Sequence, residues 1–468
     1  MHSDLWRWQA SDLAHGIRTR QISAREAVQS CLARLEQVNP KINAVVDLLA
    51  EEALAAADGA DAAVAAGEEI GPLHGVPVTY KINMDYAGRP TTNGIVAFKH
   101  RIAAADNPAI ANWRRAGAIA IGRTNVPPFS ARFFTSSALH GRTLNPWAAE
   151  LTPGGSTGGG AAAVATGMGP LAHGTDRAGS IRHPAYCCGV LGLRPTIGRI
   201  PHYNGTSPED PSLTTQITHI QGPLARTVRD LRLGYMTMAA GDPRDPGWVP
   251  AAGSSDTAPS KPCAVALLVD NPGAETDDAV AAALHRAAGW LEDGGYRVEQ
   301  AAPPHFEEIA RLFFTLVRSE ERSSTTSAID RLGDDELRRA RASTMAYASQ
   351  LDYEGYIKAF ARRATILREW QLFLERYPLL LMPVSSLLPL PVNYDQQGDA
   401  AVARMLTAHH PMLAVSMLGL PGLAVPAGLA EGVPVGVQLV AGRYREVVCL
   451  AAAEIIEARC PAATPIDP

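Results

Sequence analysis

Two serines lie twenty-four residues apart, each in a stretch rich in glycine. Ser156 sits in Pro153-Gly154-Gly155-Ser156-Thr157-Gly158-Gly159-Gly160, and a small-residue run from Ala161 to Gly167 follows it. Ser180 closes the segment Gly174-Thr175-Asp176-Arg177-Ala178-Gly179-Ser180, ahead of Ile181-Arg182-His183-Pro184. Glycine at this density lets backbone N–H groups turn inward on a small anion, because a residue without Cβ tolerates positive φ and close approach. A serine at the end of such a turn is a candidate nucleophile with donors at hand for the oxyanion it generates. Its hydroxyl is a poor nucleophile near neutral pH, so a base must accompany it.

The residues around Ser156 also satisfy the G-x-S-x-G pattern of a nucleophile elbow, which would make Ser156 the attacking group of a Ser-His-acid hydrolase. That elbow needs a buried strand just before the serine, and Trp147 to Pro153 is a poor strand sequence. A phosphate loop is excluded because no Gly-Lys-Ser/Thr follows the glycines. His173, close to Ser180 in sequence, reads as a core or supporting residue rather than the base.

A lysine motif lies upstream, in Gly71-Pro72-Leu73-His74-Gly75-Val76-Pro77-Val78-Thr79-Tyr80-Lys81. Together the three motifs resemble the amidase signature family, serine hydrolases that cleave carboxamides with a serine, cis-serine, lysine triad. Further matches run along most of the chain, among them Gly122-Arg123-Thr124-Asn125, Asn145-Pro146-Trp147, Gly192-Leu193-Arg194-Pro195-Thr196 and Gly419-Leu420-Pro421-Gly422-Leu423. The resemblance implies Ser180 as nucleophile, Ser156 as the serine after a cis peptide bond, and a neutral Lys81 as base. It implies an oxyanion hole from the backbone of Arg177, Ala178, Gly179 and Ser180. Substrate contacts are expected at Gly154, Gly155 and Phe134, with Phe133 and Tyr80 as further candidates for an acyl pocket. The side chain of Arg177 is expected to face solvent, and Asp176 and Arg182 to shape the loop by hydrogen bonding.

Three positions depart from the family pattern. Ile82 stands where aspartate is usual, Ala178 where a glycine is usual, and Thr157 where a second serine is usual. Ile82 brings no negative charge to hold Lys81 protonated, so the change favours a neutral base. The expected activity is hydrolysis of a small-molecule carboxamide, with no cofactor and no metal. Two other readings stay open: an amidotransferase A-type glutaminase subunit working with partner chains, and a catalytically silent binding protein on the same fold.

Composition agrees with an ordinary globular protein. The chain has 468 residues, 46% of them hydrophobic and 19% charged, and a formal net charge of -5 that gives no footprint for nucleic acid. Six cysteines in so long a chain do not make a disulfide framework, which points to the cytoplasm. No metal-ligand spacing appears among the cysteines and histidines. The N-terminus lacks the pattern of a secretory signal, and the uncharged run Pro411 to Ala430, broken by Pro421 and Pro426, reads as buried strands and turns rather than a membrane helix. If the chain associates, a homodimer is the expected form.

The elements that must position these residues are those of an α/β fold: a large mixed β-sheet core flanked by α-helices on both sides, read as one domain over 1–468. Residues 1–66 form an N-terminal helical layer, opened by the capping-box spacing of Ser23 and Glu26. From Leu73 to about Thr227, apolar segments alternate with glycine-rich turns and carry the chemistry. Gly241 to Pro262 reads as a surface connection. Ala264 to Val269 and Tyr296 to Glu299 read as strands around a helix over Asp277 to Leu291, about 306–370 as a helical region covering the core, and Leu379 to Val440 as returning strands.

Overall fold

The computed structural model describes residues 4–207, 209–251, 263–320 and 324–468. The first residues of the N-terminus and the second half of the expected surface connection, from 252 to 262, lie outside them. The strands are β1 (Val45–Leu48), β2 (Pro77–Lys81), β3 (Ile119–Thr124), β4 (Ser136–Ser137), β5 (Gly141–Arg142), β6 (Leu171–Asp176), β7 (Leu191–Arg194), β8 (Ile220–Ala225), β9 (Ala264–Leu267), β10 (Arg297–Gln300), β11 (Leu379–Pro383), β12 (Gly422–Ala430) and β13 (Val433–Ala441). Eleven of them form one sheet in the order β1-β3-β2-β6-β8-β7-β12-β13-β11-β9-β10, and β4 and β5 make a separate hairpin.

The sheet is mixed, as expected. β2 runs parallel to both β3 and β6, β9 runs parallel to β10 and β11, and the central pairs from β6 through β13 are antiparallel. Every residue of β2, β3, β6, β7, β8, β11 and β13 is buried, so helices cover both faces at the middle of the sheet. The N-terminal layer opens as its sequence requires: Ser23 accepts from the Glu26 N–H while Glu26 accepts from the Ser23 N–H at 2.9 Å, starting the helix Ala24–Ile42. The segment 1–66 is not wholly helical, because Val45–Leu48 leaves the layer to pair with β3 as an edge strand.

The small-residue run has a steric cause. The helix Gly158–Ala165 is buried along its whole length, and a Cβ on Gly159 would stand 2.5 Å from the Asn125 nitrogen and 2.7 Å from the Ala44 oxygen. This close approach pins the start of the helix, and with it Ser156 and Thr157, against the end of the sheet. Helical cover over the region after 306 comes from Phe306–Glu320, Ser324–Leu332, Asp335–Tyr347 and Tyr353–Arg376.

One expectation fails at the C-terminal end. The run from Pro411 does not begin as strand: His410–Leu418 is a fully buried α-helix, stopped by Gly419 at φ 66, and only then does β12 start. Pro411 falls in the first helical turn, where a missing N–H costs nothing, so it permits the helix instead of opposing it. Among the described residues no helix is long and apolar enough to cross a membrane.

Two glycine substitutions test this packing in opposite directions. A Cβ on Gly222 in β8 would lie 2.1 Å from the Leu193 oxygen, so Gly222→Ala should destabilise the protein by about 1–3 kcal/mol or more. Gly59, exposed in the interior of the helix Ala50–Ala66, has nothing within 4 Å of an added Cβ, and Gly59→Ala should stabilise by about 1 kcal/mol. Urea unfolding of the two variants reads both signs.

Candidate active site

Lys81 is the last residue of β2 and is completely buried. Its Nζ donates to Ser156 Oγ at 2.8 Å and to Thr175 Oγ1 at 2.8 Å. Burial drives its pKa well below the ordinary lysine value, and the negative charge of Asp176 only partly opposes this. Ile82 points no polar atom at the amine. Instead Asn83 reaches back, its Nδ2 donating to Thr175 Oγ1 at 3.3 Å and to Ser130 Oγ at 3.1 Å. Tyr80, one residue earlier on the strand, falls on the opposite face, is fully buried and packs against Tyr86, Trp113 and His173.

The peptide bond between Gly155 and Ser156 is cis, and Gly154 adopts φ +78. No strand leads into Ser156: the stretch before it makes a single isolated bridge, Leu151 to Pro391. The elbow reading therefore lacks its structural context. Gly154 and Gly155 are placed by backbone contact, since a Cβ on Gly154 would meet the Pro184 Cα at 2.6 Å and one on Gly155 would meet the Arg132 oxygen at 2.5 Å. Thr157 ties the two serine loops together, its N–H donating to the Ser180 carbonyl at 3.2 Å.

The loop bearing Ser180 is organised by Asp176. This carboxylate, fully buried at the end of β6, accepts from the N–H groups of Gly179 at 2.8 Å and Ile181 at 3.2 Å. It is paired with Arg182, through Nε and Nη2 at 3.0 Å each, and with Arg194 at 3.2 Å; both guanidinium groups are also fully buried. The two arginines hold its carboxyl far below the usual range against the pull of desolvation. Arg182 in turn reaches Gln438 and Ser416, so the loop is anchored to β13 and to the helix His410–Leu418.

These bonds engage some of the N–H groups of the serine loop and leave others unpaired. The Gly179 N–H is directed at Asp176, and Gly179 serves the loop instead through its φ of +114, where a Cβ would strike the Met412 sulfur at 2.5 Å. Among the described residues no acceptor takes the N–H groups of Arg177, Ala178 or Ser180, which leaves these three as donors. Arg177 is half-buried, with its Cζ 5.9 Å from the centroid of the Phe313 ring.

Phe134 is buried beside Arg132, and Phe133 joins a cluster that no sequence motif announces. Its ring lies 5.6 Å from that of His183 and 4.5 Å from that of His409, with the two imidazoles 4.7 Å apart. Burial keeps both imidazoles neutral, with His183 pushed down to about 3. His173 hydrogen-bonds to Gln221 at 2.7 Å in the core, as expected of a supporting residue. Among the described residues no group of three or more His, Cys, Asp or Glu is placed to hold a metal ion.

A buried amine at hydrogen-bond distance from one serine, with a second serine in a loop rich in unpaired N–H groups, is equipped for acyl transfer. The comparisons with known proteins agree. The Amidase family model matches residues 26–450, and the chain belongs to that family. It is an amidase, a hydrolase acting on carbon–nitrogen amide bonds. Indoleacetamide hydrolase of Bradyrhizobium diazoefficiens is 44% identical over 97% of this chain and 87% of its own length. The matching glutamyl-tRNA(Gln) amidotransferase subunit of Moorella thermoacetica is 31% identical over 97% of both chains. Among solved structures, 6-aminohexanoate cyclic dimer hydrolase in complex with its substrate superposes with a TM-score of 0.83 at 26% identity, over 98% of each chain.

Asp176→Asn should test the clamp. Removing the charge leaves two buried arginines without their counterion, a loss of about 3–5 kcal/mol. Because the folded-state pKa of Asp176 is depressed, its contribution is present above the unfolded value of about 3.9 and is lost as pH falls below it. The wild type should therefore lose stability more steeply than the variant below about pH 4, read from thermal melts across that range.

Proposed function

We propose that the protein hydrolyses carboxamides through an acyl-enzyme on Ser180. The observation that carries this reading is the 2.8 Å contact between the buried Lys81 Nζ and Ser156 Oγ. A neutral amine there takes the Ser156 proton while Ser156 takes the proton of Ser180, whose oxygen attacks the amide carbon. The N–H groups of Arg177, Ala178 and Ser180 receive the oxyanion. The proton then passes to the departing ammonia or amine, and water attacks the ester to release the carboxylate and restore Ser180.

The substrate class we propose is an arylacetamide, supported by the relative at 44% identity and by the aromatic groups of Phe133, Phe134, His183 and His409 close to the serine loops. This favours release of free ammonia over service within an amidotransferase, whose named relatives are less similar. Six free cysteines support a reducing cytoplasm as the place of action.

Wild-type protein should hydrolyse indole-3-acetamide, and Ser180→Ala should lower kcat by several orders of magnitude, by analogy with about 10⁶ for a serine protease nucleophile. Near wild-type turnover in that variant would remove Ser180 from its role.

The pH profile tests Lys81. Since only the neutral amine is a base, kcat/KM should rise with pH through an apparent pKa well under the ordinary lysine value of about 10.4. Lys81→Arg should not restore the rate, because guanidinium stays protonated. Lys81→Met should be inactive yet at least as stable as the wild type at pH 7, since it removes the cost of burying an ionisable group. A Lys81→Met variant that keeps both the rate and the ascending limb would assign the base elsewhere.

A further inference from the structure

Arg177 differs from the other buried or half-buried arginines around the site. Arg123, Arg132, Arg182, Arg194 and Arg199 each donate to a carboxylate, a carbonyl or a hydroxyl. No described residue accepts from the guanidinium of Arg177, and its Nε is fully buried without a partner. Its Cζ lies 5.9 Å from the centroid of the Phe313 ring, on the helix Phe306–Glu320.

The one carboxylate that acts on it electrostatically is Glu320, which already accepts from Ser212 Oγ at 2.7 Å, the Thr214 N–H at 2.7 Å and Tyr356 OH at 2.8 Å. A partly desolvated cation with no acceptor is costly, and five fixed donors match a carboxylate in a way that few other groups do. Arg177 stands three residues before Ser180 on the same loop, and Arg177 and Ala178 are the half-buried residues in a run that is otherwise buried from β6 to the helix Arg182–Cys188. The serine loop therefore comes nearest to solvent at Arg177 and Ala178, while the Arg177 Nε stays buried.

We propose that Arg177 is a specificity-determining residue that binds a carboxylate carried by the amide substrate outside the bond being cleaved. The inference rests on the amidase reading and extends it: between amides of similar shape the site prefers the one that carries a carboxylate, on the acyl chain or on the leaving amine, while neutral arylacetamides remain substrates. In a chain of net charge -5, one unpaired cation beside the nucleophile also selects such substrates from neutral ones as they approach.

Two pairs of near-isosteric amides separate the sources of the charge. Succinamate against 4-methylpentanamide places it on the acyl side; phenylacetylglycine against phenylacetylglycinamide, followed by phenylacetate release, places it on the leaving side. In at least one pair the wild type should prefer the charged member by about tenfold or more in kcat/KM. Arg177→Gln should bring that ratio to about one, and Arg177→Lys should keep part of it. The ratio is read rather than the rate, so any general loss from disturbing the loop cancels, and thermal melts establish that each variant is folded. Turnover of the neutral members with no preference in either pair overturns the inference and leaves the amidase reading standing, as does a preference that persists in Arg177→Gln. Turnover of none of the four amides, nor of indole-3-acetamide, overturns the substrate reading and the inference together.

Discussion

The buried ion triplet of Asp176 with Arg182 and Arg194 is the constraint on which the rest of the site depends. Three charges removed from water are tolerated because nearly every polar atom among them is bonded: Asp176 to both guanidinium groups and to the backbone of the serine loop, Arg182 onward to Gln438 and Ser416, Arg194 to the Asp176 carbonyl. A network of this kind is weak as a source of net stability but strict as to geometry, since any rearrangement strands a charge. It fixes the path of the chain from β6 to the helix Arg182–Cys188. By engaging the Gly179 N–H it also decides which backbone donors remain for a substrate.

The same carboxylate bears on the lysine. Lys81 lies in a fully buried strand end, where desolvation favours the neutral amine, and Asp176 is the charge that opposes this. Two arginines on Asp176 largely neutralise it, so the amine is not held protonated by an unshielded anion. An aspartate in place of Ile82 would add a second negative charge beside the first. Thr175, itself bonded by Asn83, instead supplies a neutral contact that orients the amine without fixing its charge. Stability and function pull apart here, since a buried ionisable group costs free energy that an apolar side chain of similar shape would not.

What the sequence reveals follows from how directly a backbone requirement is written in residue type. Gly154, Gly155, Gly159 and Gly179 are glycines because a Cβ would strike neighbouring chain, and such demands are visible as motifs. They expose Ser156, Ser180 and, through the family pattern, Lys81. The mixed sheet is legible for the same reason, since its strands alternate with glycine-marked turns. Contacts between residues distant in sequence are not legible. Nothing local announces that Thr175 shares the amine with Ser156, that His183 and His409 meet over Phe133, or that Arg177 turns toward Phe313. The helix His410–Leu418 is hidden in the sequence because Pro411 reads as a breaker, whereas its place in the first turn makes it neutral. The edge strand Val45–Leu48 is too short to show against the helices on either side.

The central claim is that Ser180, and not Ser156, becomes acylated. A fluorophosphonate probe followed by tryptic digestion and mass spectrometry tests it directly, because the chain has no Lys or Arg between Arg142 and Arg177 and cleavage at Arg177 places the two serines in different peptides. The account predicts the adduct on the short peptide from Ala178 to Arg182. An adduct on the peptide from Thr143 to Arg177, located at Ser156, would contradict it.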